Sequence, residues 1–206
     1  MKILLVAATT TEIVPILAQT ESSLFSHHQL EILVTGVGMV ATAFSLGRRF
    51  AANTYDLAIN AGIAGSFDRN LQLGEVVQVS EDLFAEMGAE DGEGFLPIDK
   101  LGFGESIMRP VNPELQINLK QVRAITVNRI HGNETTIYTT MSRFHPQIES
   151  MEGAAFFYSC NQAAIPSIQI RSVSNYVERR NRENWEISLA IKNLNEVLSN
   201  RLMEHS

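Results

Sequence analysis

Short apolar runs alternate with helical patterns along this chain. Continuous apolar runs of this length are typical of parallel strands that are buried on both faces. We predict strands at Lys2–Ala8, Leu30–Thr35, Asp56–Asn60, Glu75–Ser80, Val122–Asn128 and Pro166–Ile170. We predict helices just after Thr9–Thr11 and at Met39–Phe50, Glu152–Ala164 and Trp185–Leu202. Strands that alternate with helices indicate a layered α/β domain with a mostly parallel sheet.

The pattern also predicts which helix faces point inward. In the second helix we expect Val40, Ala43, Phe44 and Leu46 to face the core. The last helix brings Trp185, Leu189, Leu194, Val197, Leu198 and Leu202 near one face. The stretch Glu81–Pro113 is rich in Gly, Pro and acids, and we predict a long loop with little regular structure there.

Composition narrows the class of protein. The chain has 206 residues, enough for one α/β domain, and 45% of them are hydrophobic, so it is globular. The net charge of −7 argues against nucleic acid and anionic membranes as partners. No run reaches membrane-spanning length, and Met1–Ala8 is too short for a signal peptide. With a single cysteine, Cys160, we expect a cytoplasmic protein.

Three polar residues follow separate predicted strands at the edge of the sheet where α/β proteins bind ligands. Glu12 lies just past the first strand, Glu152 begins a helix, and Asn175 follows the apolar run Ser167–Ile170. Each alone has an ordinary explanation, since acids favour the first helical turn and asparagine caps helices. Because all three belong to the carboxyl ends of strands, together they predict an active site.

Two glycine motifs raise the possibility of phosphate or dinucleotide binding. Gly36–Ala41, GVGMVA, matches the dinucleotide pattern, but the next strand ends in Asn60–Ala61–Gly62 and not in an acid. We therefore favour a tight glycine turn and predict no NAD. Ala61–Gly65, AGIAG, follows a strand, where its glycines would form a turn or let a ligand approach the backbone. No cation stands beside it, which argues against phosphate.

The sequence lacks the residue patterns of metal sites and of serine or cysteine nucleophiles. The adjacent His27 and His28 are poorly placed to share a metal ion, and the acids of Glu81–Glu93 lack EF-hand spacing, so we predict no metal site. The chain has no G-x-S-x-G motif, and Cys160 lies in an apolar run, so neither a serine nor a cysteine nucleophile is predicted.

The motifs resemble those of the purine nucleoside phosphorylase and nucleosidase superfamily along nearly the whole chain. The matching segments are MKILLVAATTTEI, VTGVGMVATA, INAGIAGSF, LGEVVQVSE, SMEGAA and RSVSNY. The resemblance implies a single domain over residues 1–206, a three-layer sandwich around a central mixed, mostly parallel twisted sheet. Within the superfamily, NAGIAG, MEGAA and SNY are most similar to the futalosine hydrolases. These enzymes release hypoxanthine and dehypoxanthine futalosine in an alternative route to menaquinone.

The resemblance also assigns roles by position. It implies that Glu12 deprotonates the attacking water and that Met151 and Glu152 hold the ribose. Asn175 corresponds to the aspartate with which adenosine-type nucleosidases protonate the purine, and Ile130 to an apolar residue that packs on the base. The remaining residues assigned to substrate binding are Ile63, Gly65 and Ser174. No cofactor is implied, and the partners are a small nucleoside and further copies of the chain, as a dimer or larger.

Two departures from the superfamily pattern narrow the expected purine base and the expected nucleophile. Asn175 both donates and accepts hydrogen bonds, which suits the N7/O6 edge of a 6-oxopurine such as hypoxanthine. Ile63 replaces a hydroxyl residue, and no arginine matches the phosphorylase anion site, so water is favoured over phosphate. The candidates for the carboxylate at the far end of futalosine are Arg129, His131, Arg143, Arg179 and Arg180.

Alternatives remain at this stage. Within the superfamily, the chain could be an adenine-releasing nucleosidase or a purine nucleoside phosphorylase. Outside enzymes, it could be a catalytically silent nucleoside-binding module, although Glu12 and Glu152 argue against that. A Rossmann-type dehydrogenase is a more distant alternative.

Overall fold

The computed structural model describes residues 1–18, 29–92, 94–112 and 117–204, with backbone alone for 201–204. The strands are β1 (Lys2–Ala7), β2 (Gln29–Val34), β3 (Leu57–Ser66), β4 (Val76–Phe84), β5 (Gly88–Asp91), β6 (Gly94–Pro97), β7 (Ile107–Met108), β8 (Lys120–Thr126), β9 (Ile148–Ser150) and β10 (Ser167–Tyr176). The helices are α1 (Thr10–Leu17), α2 (Met39–Ala52), α3 (Glu134–Phe144), α4 (Gly153–Gln162) and α5 (Ile187–Glu204).

The central sheet is mixed and mostly parallel, which confirms the predicted fold class. Its strands follow the order β10-β4-β8-β9-β3-β1-β2, and β10 also pairs with β3. Pairing is parallel for β1 with β2 and β3, for β3 with β10, and for β8 with β4 and β9. It is antiparallel for β10 with β4 and for β3 with β9. Strands β3, β10, β4, β8 and β9 therefore form a closed circuit, from which β1 and β2 extend.

Helices cover the sheet on both sides. On one side α1 and α5 pack through residues such as Ile13 and Leu194 against Leu5 and Ile170 of the sheet. On the other side α2 and α4 pack through Leu46, Phe156 and their neighbours against the opposite faces of β1 and β3. Neighbouring residues of one strand point to opposite faces, so a strand that serves both cores is apolar throughout.

Two predicted loops are wrong. AGIAG at Ala61–Gly65 is not a turn: β3 continues through it to Ser66, since β10 and β9 supply backbone partners on both sides. The stretch Glu81–Pro113 is not a structureless loop either. Its first residues complete β4, and the hairpin of β5 and β6 and the short strand β7 follow. The glycines of this stretch lie in β5, in β6 and in the turns between the strands.

The predicted inner face of α2 is right for Ala43 and Leu46, which pack in the core, and wrong for Val40 and Phe44. Leu46 is buried, but Val40 is 78% exposed and Phe44 is 66% exposed, and Thr42 takes the inner position. In α5, Leu194 and Leu198 are buried as predicted, whereas Leu189 is 38% exposed and Trp185 precedes the helix.

The pattern gave no signal for α3, which is largely polar and exposed, or for β9, which has only three residues. His27 and His28 lie outside the described residues, as does the side chain of Leu202. No helix in the described part of the chain is long and apolar enough to cross a membrane.

Candidate active site

Glu12 is held at the start of α1, which begins directly after β1. The Thr9 amide and hydroxyl donate to Glu12 Oε2 at 2.9 and 3.0 Å, which anchors the first turn of α1. The Ile63 amide donates to the other oxygen, Oε1, at 3.2 Å. Asn195 of α5 donates to the Glu12 backbone carbonyl at 2.8 Å and so connects α1 with α5. This buried carboxylate therefore faces the middle of β3.

Glu152 is the N-cap residue of α4 and is buried. Its Oε1 accepts from the Gly38 amide at 3.0 Å, and its Oε2 accepts from the Met151 amide at 3.3 Å. Gly36 and Gly38 have φ of 87° and 97°, a region that glycine enters freely. The GVG segment is thus the glycine turn that we predicted, and it turns a backbone amide toward Glu152.

Asn175 lies beside Gly65 because β10 carries a bulge. Val173 pairs with Ala64 and Asn175 pairs with Gly65, so Ser174 is the extra residue. The Ser174 hydroxyl donates to the Ala64 carbonyl at 3.2 Å and to Asn175 Oδ1 at 2.8 Å. The bulge therefore places two polar side chains in succession and sets the direction of the Asn175 amide.

The end of β3 is the common neighbour of these groups. Glu12 contacts Ile63, Asn175 pairs with Gly65, and Gly65 also pairs with Glu149 of β9. Because β9 runs antiparallel to β3, its continuation through Met151 to Glu152 heads back toward Ile63. Adjacent positions on one strand face are about 7 Å apart, so Ile63, which contacts Glu12, and Gly65, which pairs with Asn175, are neighbours along β3.

A cavity of about 90 Å³ opens beside Asn175, lined also by Gly65, Ile130, Glu149 and Trp185. Ile130, which is 41% exposed, also lines a neighbouring cleft of about 910 Å³ between α3 and the β5–β6 hairpin. Among the cationic candidates, Arg129 and Arg143 line the larger cleft and Arg180 lines the smaller cavity. Within the described residues, no cluster of His, Cys, Asp or Glu suits a metal ion.

Sequence reasoning missed Arg171, a fully buried arginine on β10. Its Nε donates to Gln169 Oε1 at 3.1 Å, and its Nη2 donates to Asn60 Oδ1. The side chain crosses the face of Gly62 toward Glu12: a Cβ on Gly62 would lie 2.3 Å from Arg171 Nη1 and 2.9 Å from Glu12 Oε1. The signal was present as Gln169 and Arg171 inside an otherwise apolar strand.

Asp82 of β4 is the buried acid that balances Arg171. Gln169 Nε2 donates to Asp82 Oδ2 at 3.0 Å, and the Thr126 hydroxyl donates to Asp82 Oδ1 at 2.8 Å. Thr126 in turn accepts from the Ala154 amide at the start of α4, at 2.8 Å. A chain of hydrogen bonds therefore connects Arg171, near Glu12, with the helix that begins at Glu152.

Burial raises the pKa of Asp82 to about 6 from its ordinary 3.8, and the nearby charge of Glu152 adds to the rise. Hydrogen bonds from Gln169 and Thr126, and the charge of Arg171, act in the opposite direction. Taking a carboxylate out of water favours its neutral form.

Comparison with known proteins gives one consistent family. A model of the phosphorylase superfamily matches residues 10–203. Two futalosine hydrolases are similar in sequence: that of Streptomyces coelicolor is 29% identical over 82% of this chain and 76% of its own. That of Acidothermus cellulolyticus is 30% identical over 80% of this chain and 71% of its own. A 5′-methylthioadenosine/S-adenosylhomocysteine nucleosidase of Colwellia psychrerythraea is 25% identical over 89% of this chain and 85% of its own.

Solved structures share the fold. The Helicobacter pylori 5′-methylthioadenosine/S-adenosylhomocysteine nucleosidase with butyl-thio-DADMe-Immucillin-A superposes with a TM-score of 0.81 at 15% identity, covering 100% of this chain and 99% of the other. The native futalosine hydrolase of Helicobacter pylori superposes with a TM-score of 0.79 at 16% identity, covering 100% and 97%.

The close approach at Gly62 yields a first prediction. Gly62→Ala adds a Cβ that collides with Arg171 Nη1, whose position is fixed by its buried partners, so we expect a loss of about 1–3 kcal/mol in the free energy of unfolding. Urea denaturation measures it. Gly47→Ala is the matched control, since a Cβ there meets nothing within 4 Å and helix propensity predicts a gain of about 0.5–1 kcal/mol. Equal stabilities of the two variants would contradict the close approach.

The raised pKa of Asp82 yields a second prediction. The folded protein binds a proton at Asp82 more tightly than the unfolded chain, so this group adds stability as the pH falls from about 7 to about 4. Glu31, Asp68, Glu81 and Glu178, whose pKa values are lowered, act in the opposite direction. We therefore compare the protein with Asp82→Asn by denaturation at several pH values.

The difference in unfolding free energy between the two proteins should grow in favour of the unmodified chain as the pH falls through this window. A loss that is equal at every pH would reflect only the broken hydrogen bonds and would contradict the raised pKa of Asp82.

Proposed function

This chain belongs to the phosphorylase superfamily, and we propose that it hydrolyses the N-ribosidic bond of futalosine to hypoxanthine and dehypoxanthine futalosine. The observation that carries the proposal is an amide, Asn175, beside Gly65 at the cavity, in a chain whose relatives include futalosine hydrolases at 29% and 30% identity. An amide suits a 6-oxopurine because it offers a donor and an acceptor together.

Glu12 acts as the general base. Cleavage of an N-ribosidic bond builds positive charge on the sugar, and water attacks C1′ as the purine departs. The Glu12 carboxylate accepts from Ile63 and Thr9, which hold both of its oxygens in place. A carboxylate has further lone pairs, so it can also take the proton from water.

Glu152 and Met151 hold the ribose. The Gly38 and Met151 amides orient the Glu152 carboxylate, which binds the ribose hydroxyls and stabilises the positive charge that develops on the ring. Met151 supplies an adaptable apolar contact. Ile63 offers no hydroxyl to an anion, which supports water and not phosphate as the nucleophile.

Asn175 and Ser174 bind the base, with Gly65 and Ile130 beside it. The hydroxyl of Ser174 donates to Asn175 Oδ1, so the Asn175 amide direction is defined before any ligand binds. Such preorganisation avoids the cost of ordering the group during the reaction. Asn175 therefore acts by positioning and hydrogen bonding and not as a titrating acid.

A second candidate is an adenine-releasing nucleosidase. The nucleosidase of Colwellia psychrerythraea is 25% identical over 89% of this chain, and several structural neighbours act on 5′-methylthioadenosine by their names. The two candidates share the roles of Glu12 and Glu152 and differ in the base released.

The substrate test incubates the protein with futalosine, inosine, adenosine and 5′-methylthioadenosine, with and without inorganic phosphate, and measures free base by chromatography. We expect hypoxanthine from futalosine at the highest kcat/KM and at the same rate without phosphate. Glu12→Gln should lower kcat by roughly 10²–10⁴-fold with binding largely kept. Glu196→Gln, the same change at an exposed site on α5, should leave kcat unchanged.

Each other outcome excludes a specific role. Faster release of adenine would favour the second candidate, and a requirement for phosphate would make the protein a phosphorylase. No release from any substrate would leave a nucleoside-binding module. Full activity of Glu12→Gln would refute its role as the base.

We also propose that the active form is a homodimer or larger assembly that pairs through the outer face of α2. Val37, Val40 and Phe44 are exposed there, beside a groove that contains Phe103 and Tyr158. Large contiguous apolar surfaces are uncommon on monomers and common at subunit contacts. A second copy presents the same apolar residues, so a two-fold contact would cover both faces at once.

Sedimentation velocity tests this assembly. The unmodified chain should sediment at twice 22.9 kDa or more, and Val40→Glu/Phe44→Glu should sediment as a monomer because the charges would be buried without partners. Tyr138→Glu, at an exposed aromatic position on α3, is the control and should leave the assembly unchanged. A monomeric unmodified chain, or an unaltered double variant, would refute the contact.

A further inference from the structure

His131 and Glu149 form a buried pair next to the cavity at Asn175. His131 Nδ1 and Glu149 Oε2 are 2.5 Å apart, within hydrogen-bond distance. The backbone amide of His131 donates to the other carboxylate oxygen at 3.0 Å. On the far side of the ring, Nε2 lies 2.8 Å from the Thr140 hydroxyl of α3. The Glu149 side chain is 3% exposed and that of His131 is 12% exposed.

The pair belongs to the same cavity as the base-binding residues. Glu149 and His131 line the cavity together with Gly65, Ile130 and Asn175. The Cβ that Gly65 lacks would lie 3.3 Å from Asn175 Nδ2 and 3.5 Å from Glu149 Cγ. The face of Gly65 is therefore bordered by the Asn175 amide, by the Cγ methylene of Glu149 and, at 3.0 Å, by Val177 Cγ2.

The proposed hydrolysis leaves one proton without a source. A purine that departs from C1′ carries the electron pair of the broken bond and is a better leaving group when a ring nitrogen is protonated. Asn175 has no acidic proton at any relevant pH. His131 and Glu149 line this cavity with Asn175, and imidazole and carboxyl groups are the usual proton donors of general acid catalysis.

We infer that the His131–Glu149 pair protonates the departing purine, with Glu149 as the member that touches the base. This inference rests on the proposed nucleosidase function. As the bond from C1′ to the base breaks, the pair gives one proton to a ring nitrogen of the purine. The water oxygen bonds to C1′ and its proton passes to Glu12. Solvent then returns the proton from Glu12 to the pair, so atoms and electrons balance.

Thr140 makes this exchange possible without movement of the ring. A hydroxyl can accept a hydrogen bond from a protonated Nε2 and, after rotation, donate one to a neutral Nε2. The pair therefore keeps its hydrogen bonds in both protonation states. Phe67 packs edge-on against the imidazole with ring centroids 5.8 Å apart, which holds its plane.

Other charged groups border the same cavity. Glu178 and Arg180 line it from the segment after β10, and Glu178 is bound to Arg69 at 2.6 Å. Because these charges also affect a pH–rate profile, such a profile alone does not identify the acid. The discriminating measurement is the dependence of the rate on the leaving group.

The test compares two substrates of the full-length protein. Futalosine needs a proton on its leaving base, whereas p-nitrophenyl β-D-ribofuranoside releases a stable phenolate without one. His131→Asn keeps a donor toward Glu149 but cannot titrate, and we expect kcat on futalosine to fall by roughly 10²–10⁴-fold, while release of p-nitrophenolate changes less than about threefold. His145→Asn is the matched control at an exposed position with φ of 48°, which asparagine tolerates, and should alter neither rate.

A rescue experiment gives the second readout. Glu149→Gln should show the same dependence on the leaving group, and adding Asn175→Asp should restore at least part of the loss, because it returns an acid to the same cavity. Equal losses on both substrates would show that the pair is only structural and would overturn the inference, as would full activity of His131→Asn on futalosine.

The outcome for the unmodified protein separates this inference from the proposed function. If it cleaves inosine or adenosine and not futalosine, the proposed substrate is wrong, and the leaving-group comparison is made with the nucleoside that is cleaved. If it cleaves p-nitrophenyl riboside but no purine nucleoside, or neither, both the function and the role of the pair are refuted.

Discussion

A buried guanidinium is the constraint on which the rest of the structure depends. Arg171 lies in the middle of the sheet, where an unpaired charge would cost several kcal/mol. The side-chain oxygens of Asn60 and Gln169 accept hydrogen bonds from Arg171, and the Gln169 amide nitrogen donates one to Asp82. Because the amide of Gln169 has one donating and one accepting end, its orientation between Arg171 and Asp82 is determined. These contacts connect β3, β10 and β4 and, through a threonine of β8, the start of α4.

The same constraint positions both carboxylates of the proposed site. Arg171 can cross to Glu12 only because Gly62 has no side chain, and Gly153 leaves similar room for Asp82 and Gln169 at the start of α4. Glu12 therefore lies beside this polar centre, and the start of α4 after Glu152 is hydrogen-bonded to it through Thr126. Three residues beyond Gly62 along β3, the bulge in β10 brings Asn175 to Gly65.

The sequence predicted the parts of the fold in which local pattern and tertiary contact agree. The buried strands were found because they are apolar on both faces, and Glu12 was found because it directly follows the first of them. Predictions from the sequence were wrong where contacts with residues distant in sequence decide the local structure. AGIAG extends a strand because β9 and β10 pair with it, and Phe44 is exposed because Thr42 and Leu46 supply the inner face of α2. The pairing of His131 with Glu149 joins the segment between β8 and α3 to β9, a strand that the pattern did not reveal.

The single-residue bulge at Ser174 has an evolutionary consequence. Side chains alternate along a strand, so one inserted or deleted residue upstream of the bulge would turn every later side chain of β10 to the opposite face. Asn175 would then point away from Gly65, and the serine beside it would take its place. With the proposed role of Asn175, a new base preference is therefore expected from exchange of the amino acid at position 175 and not from a change in the length of β10.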